Sequence, residues 1–341
     1  MMLIPSPAFR EFRELARKGS DQAVIDRGQS VLDALGSDAA QQVLIPAALV
    51  LIGSSLYAAD RFADAAAYLE RGLADLPHSA ATREIGDGDP YTITYLELLL
   101  RLGRFRDAWS IAETASEPTQ SLEVRLGATR AQVAVTSAFG DFDRSQQLLN
   151  TAAGIAKRLR NRQSAAIVDG DRAMVLARQG RIVEAVALAD QVLVLLGRLG
   201  AGPVLAQSST QAVAITTTLA RIAQRTGDDM TAQRMLLLAA GPTEHTGRRF
   251  DRALFELAQA TVWNQTGFTE LAEGAADDAR RTFLFLGCAP AAAETQQLRG
   301  EIAACRGLTL SARPLLQQAR AEYGALGLNR HVSDIDALLR T

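Results

Sequence analysis

Apolar residues recur along the chain at helical spacing, in stretches that halt and restart at a small or turn-forming residue. The halts are Gly19, Asp60, Gly103, Gly140, Gly180, Gly227, Gly267 and Gly307, with a mean period of about 41 residues. Glycine suits the left-handed residue that ends a helix because no Cβ clashes there, and Asp60 tolerates that region better than most side chains. We call the helix before each halt A and the helix after it B. Five residues after the halt stand Ala65, Ala108, Ser145, Ala185, Ala232, Ala272 and Ala312. Seven residues before it stand Gly53, Ala173, Ala220, Ala260 and Gly300, with larger Leu96 and Val133 in two units. Small residues at both places predict an antiparallel A/B hairpin with closely packed helices. Two residues after the halt, Phe62, Phe105, Phe142 and Ile182 supply a large apolar plug in the first four units. Positions nine and twelve after it, from Leu69 and Gly72 to Leu316 and Ala319, extend one apolar stripe. Strand-like alternation is hard to find, so the chain reads as all-α, and its fixed period reads as stacked repeats.

Composition changes this picture little. The chain has 341 residues, 48% hydrophobic, 5% aromatic, and a formal net charge of −2. Near-zero charge argues against nucleic acid as the ligand. Lys18 and Lys157 are the only lysines, so the positive charge is almost all arginine, which favours bidentate pairing with carboxylates. Cys288 and Cys305 form no CxxC and suggest neither a metal site nor a disulfide framework. His78, His245 and His331 are scattered singly and read as surface or loop residues. The start, MMLIPSPAF, lacks a signal-peptide pattern. The apolar run Val43 to Ala59 is short and interrupted for a membrane span. The expectation is a cytoplasmic protein without a membrane partner.

The unit LVLIGSSLYAADRFADAAAYLERGLADLP carries Leu49, Ile52, Gly53, Leu56, Phe62, Ala65, Leu69 and Pro77 at spacings that resemble the tetratricopeptide (TPR) family. The resemblance runs over nearly the whole chain. It implies a TPR-like superhelical solenoid of about seven or eight antiparallel helix pairs plus a C-terminal capping helix. The first pair, around Phe12, Gly19 and Val24, fits poorly, so 1–40 reads as an atypical N-terminal pair, 41–328 as seven repeats and 329–341 as the cap. The unit is longer than the family's usual 34 residues. This long style resembles TPR arrays of bacterial signal-transduction ATPases and transcriptional activators, although no GxxxxGK[ST] loop occurs here. Linkers are expected at Pro77 to Pro90, Ser116 to Gln120, Gly200 to Pro203 and Gly241 to Arg248. In the tail, Ser333 or Asp334 could cap the last helix, with Ile335, Leu338 and Leu339 covering the final B face.

Two segments imitate a helix-turn-helix reader, starting at Ala153 and at Ala220, but both fall on the repeat register. The carboxylate neighbours Asp228 with Asp229 and Asp277 with Asp278 face different ways on a helix. GxSxG, HExxH and GxGxxG are absent, so neither enzyme activity nor a cofactor is expected. The resemblance implies that A helices line a concave groove, with positions ten, six, three and two before each halt pointing into it. Here the candidates are Tyr57, Glu97, Arg101, Arg130, Met174, Arg178, Thr217, Arg221, Gln224, Arg225, Leu257, Thr261, Asn264 and Gln265, together with Asp171, nine before Gly180. The middle of that groove is rich in arginine, which grips carboxylate or phosphate. The expectation is a non-enzymatic scaffold binding a protein or peptide through an acidic segment. The alternative is a ligand-sensing regulatory module for a small anionic molecule or peptide, and self-association stays open.

Overall fold

The computed structural model describes residues 5–76, 89–197 and 203–340. These fold into seventeen α-helices, and no strand occurs among them. The first three A/B pairs are α1 Pro7–Arg17 with α2 Asp21–Ser37, α3 Ile45–Ala58 with α4 Phe62–Asp75, and α5 Asp89–Leu102 with α6 Phe105–Ala115. Next come α7 Leu122–Ala138 with α8 Phe142–Leu159, α9 Arg162–Arg178 with α10 Ile182–Gly197, and α11 Pro203–Arg225 with α12 Asp229–Thr246. The last two pairs are α13 Arg249–Gln265 with α14 Thr269–Leu286 and α15 Ala289–Cys305 with α16 Thr309–Ala325, followed by α17 Asn329–Leu338. The architecture is a TPR-like helical solenoid.

All eight halts adopt the left-handed conformation, from Gly19 at φ 69° to Gly307 at φ 74°, and Asp60 does so at φ 57°. The hairpins close through paired volumes. A Cβ at Gly53 would lie 2.7 Å from Leu69, and one at Gly300 would lie 2.7 Å from Leu316, so a leucine on B fills the space a glycine leaves on A. Leu96 inverts the pair, sharing its core with Ala112. Leu96 is therefore matched by a small partner, whereas Val133 shares its core with Leu149. A helices are buried on most sides, as Ala166–Ala177 of α9 shows, whereas B helices bury one stripe, such as Ala185, Ala189, Val192 and Leu196 of α10. Consecutive A helices pack on one another more closely than consecutive B helices, which places A on the inner wall and B outside.

The superhelix curls tightly enough for successive turns to touch. Arg248 Nη2 donates to the Tyr57 carbonyl at 3.2 Å and to Asp60 Oδ1 at 3.4 Å, and the Arg249 N–H donates to Asp60 Oδ2 at 2.8 Å. These partners lie 188 to 191 residues apart, so one superhelical turn takes roughly four and a half repeats. The seam continues where Gly103 faces Leu326 and Pro290, where Gly287 faces Leu102, and where Arg330 stacks over Phe142 at 5.1 Å. One continuous apolar core therefore joins residues from Phe9 to Ala108 with residues from Ala253 to Ile335.

Several expectations need correction. Gly241 to Arg248 is not a linker through most of its length: α12 runs on to Thr246 with Pro242 inside it. Pro242 removes the donor that would meet the carbonyl of Leu238, whose side chain is exposed, and solvent can serve that carbonyl. Ser333 and Asp334 lie within α17 rather than at its cap; the Ser333 hydroxyl donates to the Asn329 carbonyl at 3.1 Å. Ile335 is fully buried and Leu339 partly so, but Leu338 remains exposed. Asp89 and Pro90 already belong to α5, while 77–88, including His78, and 198–202 lie outside the described residues.

Candidate functional site

Hydrogen bonds on the inner wall step from each A helix to the next at the repeat period. Tyr57 Oη donates to Glu97 Oε2 at 3.1 Å, 40 residues away. Arg130 binds Asp171 through two bonds of 2.6 and 3.3 Å, 41 residues away. Arg178 Nη1 donates to Ser137 Oγ at 3.0 Å, and Asn264 Nδ2 approaches Cys305 Sγ at 3.8 Å, each across 41 residues. Equivalent positions of successive repeats face each other in a solenoid, so short polar side chains there bridge neighbours.

Apart from the Arg130–Asp171 bridge, the expected groove residues divide into three groups. Thr217, Leu257 and Thr261 are buried; Leu257 joins the core, and both hydroxyls donate to carbonyls of their own helices. Met174 is half-buried against the core beneath α9, and Asn264 is buried. Gln224 is also buried, and its amide donates to Asp229 at 2.6 Å. Gln265 is exposed.

A second group, Tyr57 and Arg101, stands at the seam. The Arg101 guanidinium lies 4.2 Å from the Phe250 ring centroid, 5.2 Å from Tyr57 and 5.5 Å from Phe62. Three rings around one cation supply an electrostatic hold that needs no carboxylate. Arg101 Nη1 is buried without a hydrogen-bond partner. Glu97 borders this cluster through its bond from Tyr57.

The third group is the arginine cluster. Arg221 Nη1 contacts Glu294 Oε2 at 2.6 Å, and Arg225 Nη1 lies 3.6 Å from Oε1. The Arg221–Glu294 pair spans 73 residues, skipping a repeat to join α11 with α15. Burial alone would raise the Glu294 pKa, but Arg221, Arg225 and His331 outweigh it and hold the carboxyl at about 2. Arg178 keeps exposed surface while its guanidinium is partly buried against Ser137, and among the described residues no carboxylate lies within ion-pair distance of it. Burial and then the repulsion of Arg221 lower the Arg178 pKa, against the pull of Glu294 and Asp171. Three guanidiniums thus stand on one wall; Glu294 lies within ion-pair distance of Arg221 and Arg225, while Asp171, Glu301 and Asp334 act on Arg178 or Arg225 only at longer range.

Sequence reading missed Glu294, Tyr323 and His331. Glu294 lies thirteen residues before Gly307, one helical turn beyond the inner-wall positions considered, and following the stripe for that extra turn would have found it. His331 is not a surface or loop residue: it is half-buried in α17, stacked on Tyr323 with centroids 4.6 Å apart. The adjacent carboxylates do not act in pairs. Asp228 caps α12 by accepting from the Thr231 N–H, while Asp277 pairs with Arg299 and Asp278 with Arg281.

The geometry defines the class as a TPR-type α-solenoid. No protein-family model matches the chain, and no curated protein matches it. Solved structures do resemble it. A Rap protein complexed with Competence and Sporulation Factor aligns at a TM-score of 0.56 and 11% identity, covering 98% of this chain and 96% of that one. The TPR-sensor STAND protein of Pyrococcus horikoshii aligns at 0.51 and 12% identity, covering 93% of this chain and 49% of that one. At these identities the likeness is one of fold. Among the described residues no helix is long and apolar enough to cross a membrane.

Proposed function

We propose that the chain is a non-enzymatic binding scaffold whose inner wall holds an acidic segment of a protein or peptide. The observation that carries this reading is the cluster Arg178, Arg221 and Arg225, in which Glu294 is, among the described residues, the one carboxylate within ion-pair distance. Guanidiniums on a concave wall are attracted to carboxylates and exchange hydration for paired hydrogen bonds. Rap in complex with a factor gives the fold a precedent for binding. The test is titration with fluorescent acidic peptides, comparing the native chain with Arg178→Glu/Arg225→Glu. Both side chains keep exposed surface, so the variant should retain its helical far-ultraviolet spectrum. The expected outcome is a loss of affinity of about tenfold or more, and unchanged binding would refute the site.

A second reading, a ligand-sensing module, is favoured by the seam. Tyr57 and Arg101 belong to the inner wall and also to the contact between superhelical turns. A ligand that engages them therefore acts on the seam as well. The long-repeat style and the STAND sensor's likeness in fold support the same reading.

A further inference from the structure

Resting on the reading of the inner wall as an anion-binding surface, we propose that Glu294 is a built-in stand-in for the ligand. In this assignment a carboxylate of the chain itself occupies the Arg221 and Arg225 guanidiniums, and the carboxylate of an incoming acidic segment displaces it. Three observations carry the proposal. The first is topology. The polar bridges of the inner wall described above step by 40 or 41 residues to the adjacent repeat, whereas Glu294 reaches Arg221 across 73. It is an intrusion across the hollow, not a rung of the ladder.

The second is geometry. One Glu294 oxygen is tightly held at 2.6 Å by Arg221, whose side chain is nine-tenths buried, while the other lies a loose 3.6 Å from the more exposed Arg225. A planar carboxylate can make two parallel bonds to one guanidinium, and the intruding glutamate does not saturate the pair. The third is charge. Arg178, on the neighbouring repeat, is held by a neutral hydroxyl and feels the repulsion of Arg221, and among the described residues no carboxylate reaches ion-pair distance of it even with Glu294 in place. An arriving acidic segment with two or more carboxylates meets Arg178 first and then competes for Arg221 and Arg225. Its binding would release α15 from α11, and α15 begins at the seam, where Pro290 faces Gly103.

The experiment uses the full chain and two probes, an acetylated tetraglutamate peptide and free glutarate, with binding read by calorimetry. Glu294→Gln keeps the side chain's shape and removes the competing charge. The expected result is that this variant binds tetraglutamate about tenfold more tightly than the native chain, and that adding Arg221→Gln abolishes the gain. Glu294→Asp keeps the charge but shortens the reach, and should show a gain too, which protects the test should the glutamine variant fold poorly. Equal affinity in native and variant chains, or a gain that survives Arg221→Gln, would overturn the proposal. If the native chain binds tetraglutamate and Arg178→Glu/Arg225→Glu abolishes it while Glu294 variants show no gain, the groove reading stands and the stand-in falls. If no form binds either probe, both fall. Glutarate bound as tightly as the peptide would support displacement and identify a small dicarboxylate as the source of the anion.

Discussion

Asp60 shows how one side chain can serve local and distant structure together. Its register requires a left-handed residue, and seven of the eight such halts are glycine. The aspartate is kept there at φ 57° because its carboxylate accepts from the Arg249 N–H and from Arg248, both on the next superhelical turn. Asp60→Gly therefore sets two effects against each other. Freeing the backbone stabilises by about 1 kcal/mol. Leaving a largely buried guanidinium and a backbone N–H without their acceptor costs about 1–3 kcal/mol. The expected net change is a loss of about 1 kcal/mol in urea denaturation, with Asp60→Asn losing less because its amide oxygen still accepts. A more stable Asp60→Gly chain would show that the carboxylate contributes nothing to the seam. Sequence alone made Asp60 a tolerated substitute, because its partners lie 188 residues or more away.

At the scale of helices, the repeat was legible because each A/B hairpin is local. The small residues five after each halt are buried, and the paired sizes at Gly53 with Leu69 and Gly300 with Leu316 are short-range matches. The inner wall was legible in part: position in the repeat put Arg178, Arg221 and Arg225 on A helices, and the fold sets them near one another. It could not separate Thr217 or Leu257, buried in packing, from residues that meet the hollow. That distinction depends on how each A helix rotates against its neighbours. Curvature was not legible, since small angular steps between repeats accumulate before the seam forms. One signal did point to it. The aromatic plugs Phe62, Phe105 and Phe142 occupy the edge that the later turn approaches, whereas the same position reads Asp229, Thr269 and Thr309 in the last three repeats. Gly103→Ala and Gly180→Ala isolate the seam from backbone strain. Both glycines have the same left-handed geometry, at φ 78° and 82°, so both variants lose about 1–2 kcal/mol from strain. Only at Gly103 would the new Cβ lie 2.6 Å from Leu326 and 3.1 Å from the Pro290 ring; at Gly180 nothing lies within 4 Å. Overpacking at a rigid ring should add about 1–3 kcal/mol to the Gly103→Ala loss. Equal melting temperatures for the two variants would count against a closed seam in solution.

For the whole molecule, the charge clusters that hold distant repeats together make its stability depend on pH with a definite sign. Burial lowers the His331 pKa below its ordinary 6.5; Arg225 and Arg178 add to this, and Glu294 and Asp334 oppose it. A base with a depressed native pKa is stabilising above its unfolded value, so this contribution is lost as pH falls below 6.5. Glu294 works in the same direction in a lower window. Its native pKa of about 2 lies below the ordinary 4.5, so its stabilisation is complete above 4.5 and disappears as pH falls toward 2. The shift sets an upper bound of about 3 kcal/mol on this contribution. Asp251, fully buried between α11 and α13 with Thr210 donating to one oxygen, opposes the trend. Burial raises its pKa despite Arg101 and Arg248, so protonation there favours the folded state as pH falls toward the ordinary 3.8. The expected stability curve declines from pH 7 toward 5 and falls more steeply below 4.5. In Glu294→Gln the lower limb should flatten, because the carboxylate within ion-pair distance of Arg221 and Arg225 no longer titrates, while the decline near pH 6 persists through His331. Denaturant melts at pH 7, 5.5, 4 and 3 would resolve the two limbs. A lower limb of native steepness in Glu294→Gln would mean that the Arg221 and Arg225 pair does not link α11 with α15.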